Sequence, residues 1–354
     1  MEFTYITTLG AFLVCFLVTL ISLRAIVLSP LTLDLKSRWY QDAFLPILLV
    51  SFIAFALLFY FTETAYDQIF PLTWTDLALS FSSAIAIYIV SLFKKSTRFT
   101  LPVLVGTILL CTAILPNDFT LFQNHLPFWG DRFCIVLFWI LFAWCFRFMN
   151  GIDGIATLQA SSFTCGLLIL TFLGGLPLLY GNFAAALLGS LTSLLIYNWY
   201  PAKILLKDSA CISLGFLLGW LTILTAREGT ASCSLIYATY YILEIIWAIG
   251  SKLVANNGSL TANTLYYRVN ISGLSPAEVG QNITKLLTVL LVLGSFQVYA
   301  PNNYSLPLAA ALVTLWFMNK LNNWQEPQQS LKDINHEVIQ DIKDNVENIK
   351  KIIR

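Results

Sequence analysis

Long apolar segments recur along most of the chain and are separated by short polar connections. Each segment has about the 20 residues that an α-helix needs to cross the hydrocarbon core of a bilayer. The pattern predicts an all-α integral membrane protein with about eleven transmembrane helices. The predicted spans cover about 3–29, 43–62, 76–93, 100–116, 132–149, 155–175, 180–197, 209–225, 234–253, 280–299 and 304–321.

Basic residues are distributed unevenly between alternate connections. Loops that remain in the cytoplasm carry an excess of Lys and Arg. The basic side is therefore predicted to be cytoplasmic, which places the N-terminus outside and the C-terminus in the cytoplasm of a multi-pass membrane protein. On the basic side lie Arg24, Lys36, Arg38, Lys94, Lys95, Arg98, Arg147, Lys203, Lys207, Lys252, Arg268, Lys285 and Lys320, and on the other side lie Arg132 and Arg227.

The last thirty residues differ in character from the rest of the chain. Residues 1–324 form the predicted polytopic transmembrane domain, and residues 325–354 form a charged cytoplasmic tail. Apolar residues recur in the tail at intervals of three and four, which predicts an amphipathic helix. Such a helix could lie on the inner membrane surface, pair with a second copy as a short coiled coil and so form a homodimer, or cover the cytoplasmic loops. The apolar positions are Leu331, Ile334, Val338, Ile342, Val346, Ile349 and Ile353.

Composition agrees with the membrane prediction and excludes other classes. Of the 354 residues, 58% are hydrophobic and only 11% are charged, against roughly 25% charged residues in soluble domains. A net charge of +1, without a basic run interleaved with aromatic residues, excludes a nucleic-acid partner. The seven cysteines show no Cys-x-x-Cys spacing and are predicted to be buried thiols.

A polar connection between two long apolar segments carries the first candidate chemistry. It contains Lys203, Lys207 and Asp208, and Pro201 prevents the preceding helix from continuing into it. Charged side chains held at a membrane surface are candidates for function. The alternative is a solvated loop whose lysines follow the topology rule.

A second polar turn comes about fifty residues earlier in the chain. Here Gly151 and Gly154 flank Ile152 and Asp153. Glycine permits a tight backbone with positive φ and close approach of a ligand. The turn therefore presents Asp153 rigidly, although a Gly-x-Asp-Gly sequence alone is often only a turn.

Together the two connections resemble motifs of the polyprenyl-phosphate N-acetylhexosamine-1-phosphate transferases. Residues 144–156 resemble the family pattern Asn-x-x-Asn-Phe-Met-Asp-Gly-Ile-Asp-Gly-Leu-Ala. Residues 198–216 resemble Asn-Trp-x-Pro-Ala-Lys-Ile-Phe-Met-Gly-Asp-x-Gly-Ser-x-x-Leu-Gly-Phe. The agreeing positions of the second string are Asn198, Trp199, Pro201, Ala202, Lys203, Ile204, Asp208, Leu214, Gly215 and Phe216.

The resemblance implies a reaction and a set of residues. Members of the family transfer a sugar 1-phosphate from a UDP-sugar to polyprenyl (undecaprenyl) phosphate at the inner membrane face, which begins a cell-surface polysaccharide. The eleven spans point to the branch that initiates the O-antigen of lipopolysaccharide. By resemblance, Asp208 and Asp153 are the catalytic residues and the ligands of Mg²⁺. The substrate-binding candidates are Asn198, Lys203, Asn150 and Arg268, together with Lys94 and Arg147 as additional cations.

The chain also departs from the family pattern. The paired Asp residues that help to hold Mg²⁺ correspond to Phe93 and Lys94, and an Asp of the glycine turn is replaced by Asn150. In the last large loop, Tyr266 and Arg268 match the family, whereas Thr261 and Thr264 replace its two histidines.

Three hypotheses follow from this comparison. The first is a divergent transferase, favoured because the string from Asn198 to Asp208 is kept in more detail than packing requires, with Mg²⁺ held weakly or not at all. The second is a non-catalytic relative that binds polyprenyl phosphate or a partner enzyme. The third, a transporter, lacks any sign of inverted repeats or broken helices at mid-membrane depth.

One further carboxylate lies inside a predicted span. Glu244 is surrounded in the sequence by apolar residues. Because burial disfavours an isolated charge, Glu244 is expected to be neutral and hydrogen-bonded or else paired with a cation. Structural and functional roles remain open for it.

Overall fold

The structure of the chain is a computed structural model. It describes residues 2–28, 53, 74–93, 97–115, 120–121, 126–255, 260–271, 273–301 and 303–323. The predicted span 43–62, apart from Ile53, lies outside these residues, as do Lys94 and the whole of the tail 325–354.

The described residues are helical apart from turns and short connections. Two 3₁₀ turns, Arg147–Met149 and Thr261–Asn263, interrupt the series of α-helices. The α-helices are α1 (Glu2–Leu28), α2 (Trp74–Phe93), α3 (Thr97–Ile114), α4 (Phe128–Phe146), α5 (Ile155–Phe172), α6 (Leu178–Asn198), α7 (Asp208–Arg227), α8 (Ala231–Ala255), α9 (Leu265–Ile271), α10 (Pro276–Gln297) and α11 (Ser305–Asn323).

The all-helical prediction is confirmed for the described part of the chain. A helix occupies each predicted span there, and seven of these helices are long and apolar enough to cross a membrane: α1, α4, α5, α6, α7, α8 and α10. Shorter apolar stretches, Leu79–Ser91 and Phe99–Ile114, lie in α2 and α3. Helix α9 was not predicted, because its seven residues are too few to span a bilayer. The total of eleven spans stays a prediction.

Helix α7 is the centre of the bundle. In its apolar stretch 94% of the residues are buried, compared with 28% in α1. Two glycines let it approach α4 closely: a Cβ atom on Gly215 would lie 2.6 Å from Cβ of Phe146, and one on Gly219 would lie 2.7 Å from Cδ1 of Trp139. Small residues at helix contacts permit this kind of close packing in membranes. The Trp139 indole N–H also donates to the carbonyl of Phe216 at 2.8 Å.

Connections between the later helices gather at two opposite ends of the bundle. At one end, which we call the motif end, the turn 147–154, the connection 199–207 and helix α9 are joined by hydrogen bonds. At the other end, the Ser232 hydroxyl donates to the carbonyl of Pro301 at 3.2 Å, and the Tyr180 hydroxyl contacts Glu228 at 3.4 Å. Consecutive helices from α4 to α8 therefore alternate in direction, as the predicted loop pattern requires.

The orientation of the motif end can be tested by labelling. In a chain whose native cysteines have been replaced, single cysteines at Lys94, Asn150 and Lys207 are expected to resist an impermeant thiol reagent in whole cells, and one at Asn117 is expected to react. The expectation rests on the excess of basic residues at the motif side. Labelling of position 207 from outside would reverse the orientation, and permeabilised cells provide the control for accessibility.

Candidate functional site

The glycine turn of the first motif lies directly against the backbone of the second. Gly154 has a φ of 82° and precedes the first residue of α5. A Cβ atom at this position would lie 3.4 Å from the Asn198 carbonyl oxygen and 3.6 Å from Cα of Trp199. Both the left-handed backbone and the close approach favour glycine here. The two segments singled out in the sequence are therefore in contact.

Asp153 links the same two segments by a hydrogen bond. Its Oδ2 atom accepts the backbone N–H of Ala202 at 3.1 Å, and its side chain is half-buried. Ala202 follows Pro201, and the peptide between Tyr200 and Pro201 is cis. The predicted catalytic carboxylate thus also helps to hold the connection that leads to Asp208.

The buried side chain of Asn198 stabilises the connection 199–207 through hydrogen bonds. It accepts the Thr157 hydroxyl at 2.7 Å and donates to the carbonyl of Ile204 at 2.8 Å. The carbonyl of Tyr197 accepts the backbone N–H groups of Lys203 and Ile204 at 2.8 and 3.1 Å. These bonds define a compact loop. The substrate-binding role predicted for Asn198 stays a prediction, and the structure gives its amide a loop-holding role.

Trp199 packs the loop between two helices. Its ring lies beside Gly154 on one side, and a Cβ atom on Gly280 of α10 would lie 3.0 Å from Cη2 of the ring on the other. The aromatic side chain therefore fills the space that both glycines leave open. The sequence indicated Trp199 only as a matching residue and gave no sign of this partner.

Asp208 and Lys203 face outward at the motif end. Asp208 is the first residue of α7 and is exposed, and Lys203 is exposed in the loop. A helix N-terminus favours an acidic side chain, and Asp208 occupies such a position. The side chain of Lys207, at the residue before the helix, is half-buried.

Arg147 lies at the start of the glycine turn with a fixed side chain. Its guanidinium carbon lies 4.6 Å from the centre of the Trp144 ring and 4.8 Å from that of Phe148. Cations are attracted to aromatic ring faces at this distance. Asn150, predicted to bind substrate, ends the following 3₁₀ turn, where its backbone N–H donates to the Arg147 carbonyl at 3.3 Å, and its side chain is half-buried.

Helix α9 joins the site through Tyr266. The buried Tyr266 hydroxyl donates to the carbonyl of Phe148 and accepts the backbone N–H of Gly151 at 3.2 Å. Burial raises the pKa of the Tyr266 phenol, so the hydroxyl keeps the proton that it donates. Arg268, half-buried and two residues further along the helix, is thereby brought to the motif end.

Glu244 of α8 accepts hydrogen bonds from the beginning of α9. Its side chain is fully buried, and its Oε1 atom accepts the backbone N–H groups of Leu265 and of Tyr266, the latter at 3.3 Å. Of the two alternatives left open by the sequence, the structure shows the hydrogen-bonded one. Periodicity could not have identified the partners, which lie more than twenty residues away.

The residues fit at most a weak metal site. Among the described residues, no group of three or more His, Cys, Asp or Glu side chains could hold a metal ion. Asp153 and Asp208 remain, and Mg²⁺ commonly takes one or two carboxylates from a protein while waters and substrate phosphates complete its shell. A Mg²⁺ site built on these two carboxylates at the motif end is therefore a proposal.

Comparison with known proteins agrees with the motifs. Residues 89–226, from α2 to the end of α7, match the family described as glycosyl transferase family 4. This region contains both motif segments and Lys94. The match supports membership of the superfamily of polyprenyl-phosphate hexosamine-1-phosphate transferases.

Particular relatives are phospho-N-acetylmuramoyl-pentapeptide-transferases. The enzyme of Prochlorococcus marinus (strain MIT 9515) is 27% identical over 153 residues, 41% of this chain and 42% of its own length. That of Prochlorococcus marinus subsp. pastoris is 26% identical over 215 residues, 57% of this chain and 60% of its own length. That of Campylobacter jejuni subsp. jejuni serotype O:6 is 31% identical over 156 residues, 38% of this chain and 43% of its own length. The chain thus spans 42–60% of these relatives' lengths, and the O-antigen-initiating branch stays a prediction.

Proposed function

We propose that this protein transfers an N-acetylhexosamine-type sugar 1-phosphate from a UDP-sugar to polyprenyl (undecaprenyl) phosphate at the inner membrane face. The reaction would begin a cell-surface polysaccharide. The observation that carries the proposal is the contact between the two motif segments, where Asp153 accepts the Ala202 N–H and Gly154 lies against the Asn198 carbonyl. Segments 44 residues or more apart in the sequence form one surface at the motif end.

The proposed step is a single phosphoryl transfer. A phosphate oxygen of the lipid attacks the sugar-bearing phosphorus of the donor, the diphosphate P–O bond breaks, and UMP leaves with the bridging oxygen. Such a transfer depends on alignment and on neutralisation of developing charge more than on covalent catalysis by the protein. In this proposal Asp208 and Asp153 would hold Mg²⁺ or orient the lipid phosphate. Bound Mg²⁺ would add positive charge beside the diphosphate.

Cations of the motif end fit the charge of the donor. Lys203 is exposed, Arg147 lies against two aromatic rings, and Arg268 is carried on α9. A guanidinium offers several N–H donors in a plane that matches phosphate oxygens. Because its ring contacts fix Arg147 in advance, little side-chain freedom is lost when it binds an anion.

A non-catalytic relative that binds polyprenyl phosphate or a partner enzyme is the second candidate. The replacement of acidic and histidine positions of the family by Asn150, Thr261 and Thr264 favours it. Thr264 is moreover buried, so it is a poor substitute for a histidine that meets substrate.

An assay of the purified chain distinguishes these functions. Detergent-solubilised protein is mixed with polyprenyl phosphate and separately with several UDP-N-acetylhexosamines and UDP-N-acetylmuramoyl-pentapeptide. Release of UMP together with a lipid-linked sugar diphosphate supports the transferase. Binding of polyprenyl phosphate without release of UMP from any donor supports the non-catalytic relative, and absence of both rejects the proposed function.

Lys94 provides a separate prediction about metal dependence. By resemblance, Lys94 stands at or next to a position where the family has a carboxylate ligand of Mg²⁺. A cation near a diphosphate is worth roughly 4 kcal/mol at the effective dielectric of a protein surface. Binding of the nucleotide sugar, measured by isothermal titration, is therefore expected to weaken little in EDTA and strongly in Lys94→Ala. Lys320→Ala, a basic residue on the same predicted side, is the control. Binding that is lost in EDTA and unchanged in Lys94→Ala would instead support a Mg²⁺ site at Asp153 and Asp208.

A further inference from the structure

A chain of hydrogen bonds leads from the interior of the bundle to the glycine turn. It begins at Glu244, which is fully buried in α8 and accepts the N–H groups of the first two residues of α9. The N–H groups in the first turn of a helix have no partner within that helix. The carboxylate supplies one, and it fixes the beginning of α9 to a membrane-spanning helix.

Helix α9 is a suitable link because it depends on such contacts. It has only seven residues, and helices of this length are marginal without tertiary support. From its second residue, the Tyr266 hydroxyl reaches both the Phe148 carbonyl and the Gly151 N–H. The position of α9 therefore determines where the glycine turn is held.

The geometry points to Glu244 as a positioning residue that acts through α9 and Tyr266 to hold the Gly151–Gly154 turn. The next bond in the chain is the one from Ala202 N–H to Asp153, which joins the turn to the loop before Asp208. Glu244 would thus set the geometry of the motif end without meeting a substrate. Its effect on transfer rests on the proposed function, whereas its effect on the turn does not.

The cost of burying a carboxyl group also argues that Glu244 does more than fill space in the bundle. A buried carboxyl group costs free energy unless it is hydrogen-bonded, so an apolar side chain would fill the same space more favourably. The Oε2 atom of Glu244 is buried without a hydrogen-bond partner among the described residues. The two backbone bonds of Oε1 are the contribution that an apolar residue could not make.

Hydrogen–deuterium exchange of the full-length protein tests the inference without any substrate. In Glu244→Leu and in Glu244→Asp, which withdraws the acceptor by one methylene, amides in 147–156 and 261–268 are expected to exchange roughly tenfold faster, because the bonds that hold α9 and the turn are weakened. Tyr266→Phe should accelerate only 147–156. Glu244→Gln keeps an oxygen acceptor at full length and should exchange like wild type.

Two further measurements complete the experiment: a matched control substitution at Tyr240, and a double-mutant cycle that combines Glu244→Asp with Tyr266→Phe. Tyr240→Phe removes a hydroxyl that is equally buried, one turn from Glu244, and without a hydrogen-bond partner among the described residues; it should leave 147–156 unchanged. The double variant Glu244→Asp with Tyr266→Phe should accelerate 147–156 no more than the larger single effect, because both changes act on one chain of bonds.

Several results would overturn the inference. The first is an unchanged rate of amide exchange in 147–156 for Glu244→Asp, and the second is a Tyr240→Phe variant that accelerates this exchange equally. The others are additive increases in the exchange rate in the double variant, or a Glu244→Gln variant that exchanges as fast as Glu244→Leu. Protection of 209–225 in α7 shows whether each variant is folded; should Glu244→Leu fail this check, Glu244→Asp and Tyr266→Phe decide alone. If wild type has no transferase activity, the exchange results still stand. If it is active, the variants with faster exchange should lose kcat while Glu244→Gln retains it.

Discussion

Replacement of Asp208 by Asn is expected to abolish transfer of the sugar phosphate and to leave the fold intact. Loss of a preorganised charge at a reacting phosphate costs roughly 10²–10³-fold or more in kcat. Asp208 is exposed at the first position of α7, so the free energy of unfolding should change by no more than about 0.5 kcal/mol. UMP release and thermal unfolding of the purified variant check both parts.

The matched control for Asp208→Asn is Glu228→Gln. Glu228 follows the last residue of α7 at the opposite end of the bundle, and its neutralisation should leave the rate of transfer unchanged. A rate of Asp208→Asn within a few-fold of wild type would remove Asp208 from the catalytic residues. A variant that does not fold would show instead that the carboxylate is structural.

Hydropathy predicted the helices well because each one has to be apolar along its own length. The prediction for α4 began at 132 and ended at 149, whereas the helix runs from Phe128 to Phe146 and continues as a 3₁₀ turn to Met149. Apolar periodicity cannot distinguish the last α-helical turn from a 3₁₀ turn, since both keep the same residues in the bilayer. Helix α9 was not predicted because a helix of seven residues is too short to be recognised as a transmembrane span.

Contacts between distant segments were beyond reach of the sequence pattern. The motif strings suggested that Asp153 and Asp208 share a site, but not that Asp153 accepts the Ala202 N–H. Likewise, the string marked Asn198 as polar and matching, and only the structure shows its amide bonded to Thr157 and Ile204. Such bonds depend on how helices pack, and neither hydropathy nor local spacing encodes that arrangement.

The two roles of Asp153 can be separated by comparing two substitutions. Asp153→Asn removes the charge but keeps an oxygen that can accept the Ala202 N–H, whereas Asp153→Ala removes both. If the charge acts on the phosphates, Asp153→Asn should already lower kcat by at least about 10²-fold without faster amide exchange in 199–204. Asp153→Ala should add faster exchange there, because the Ala202 N–H loses its acceptor.

Thr157→Val is the control for loosening the loop without changing charge. It removes the hydroxyl that donates to Asn198, so exchange in 199–204 should rise while kcat falls much less than in Asp153→Asn. Wild-type kcat in Asp153→Asn, combined with a large loss in Asp153→Ala, would show that Asp153 only holds the loop. The charge required for transfer would then rest on Asp208, and a Mg²⁺ site at the motif end would not need the charge of Asp153.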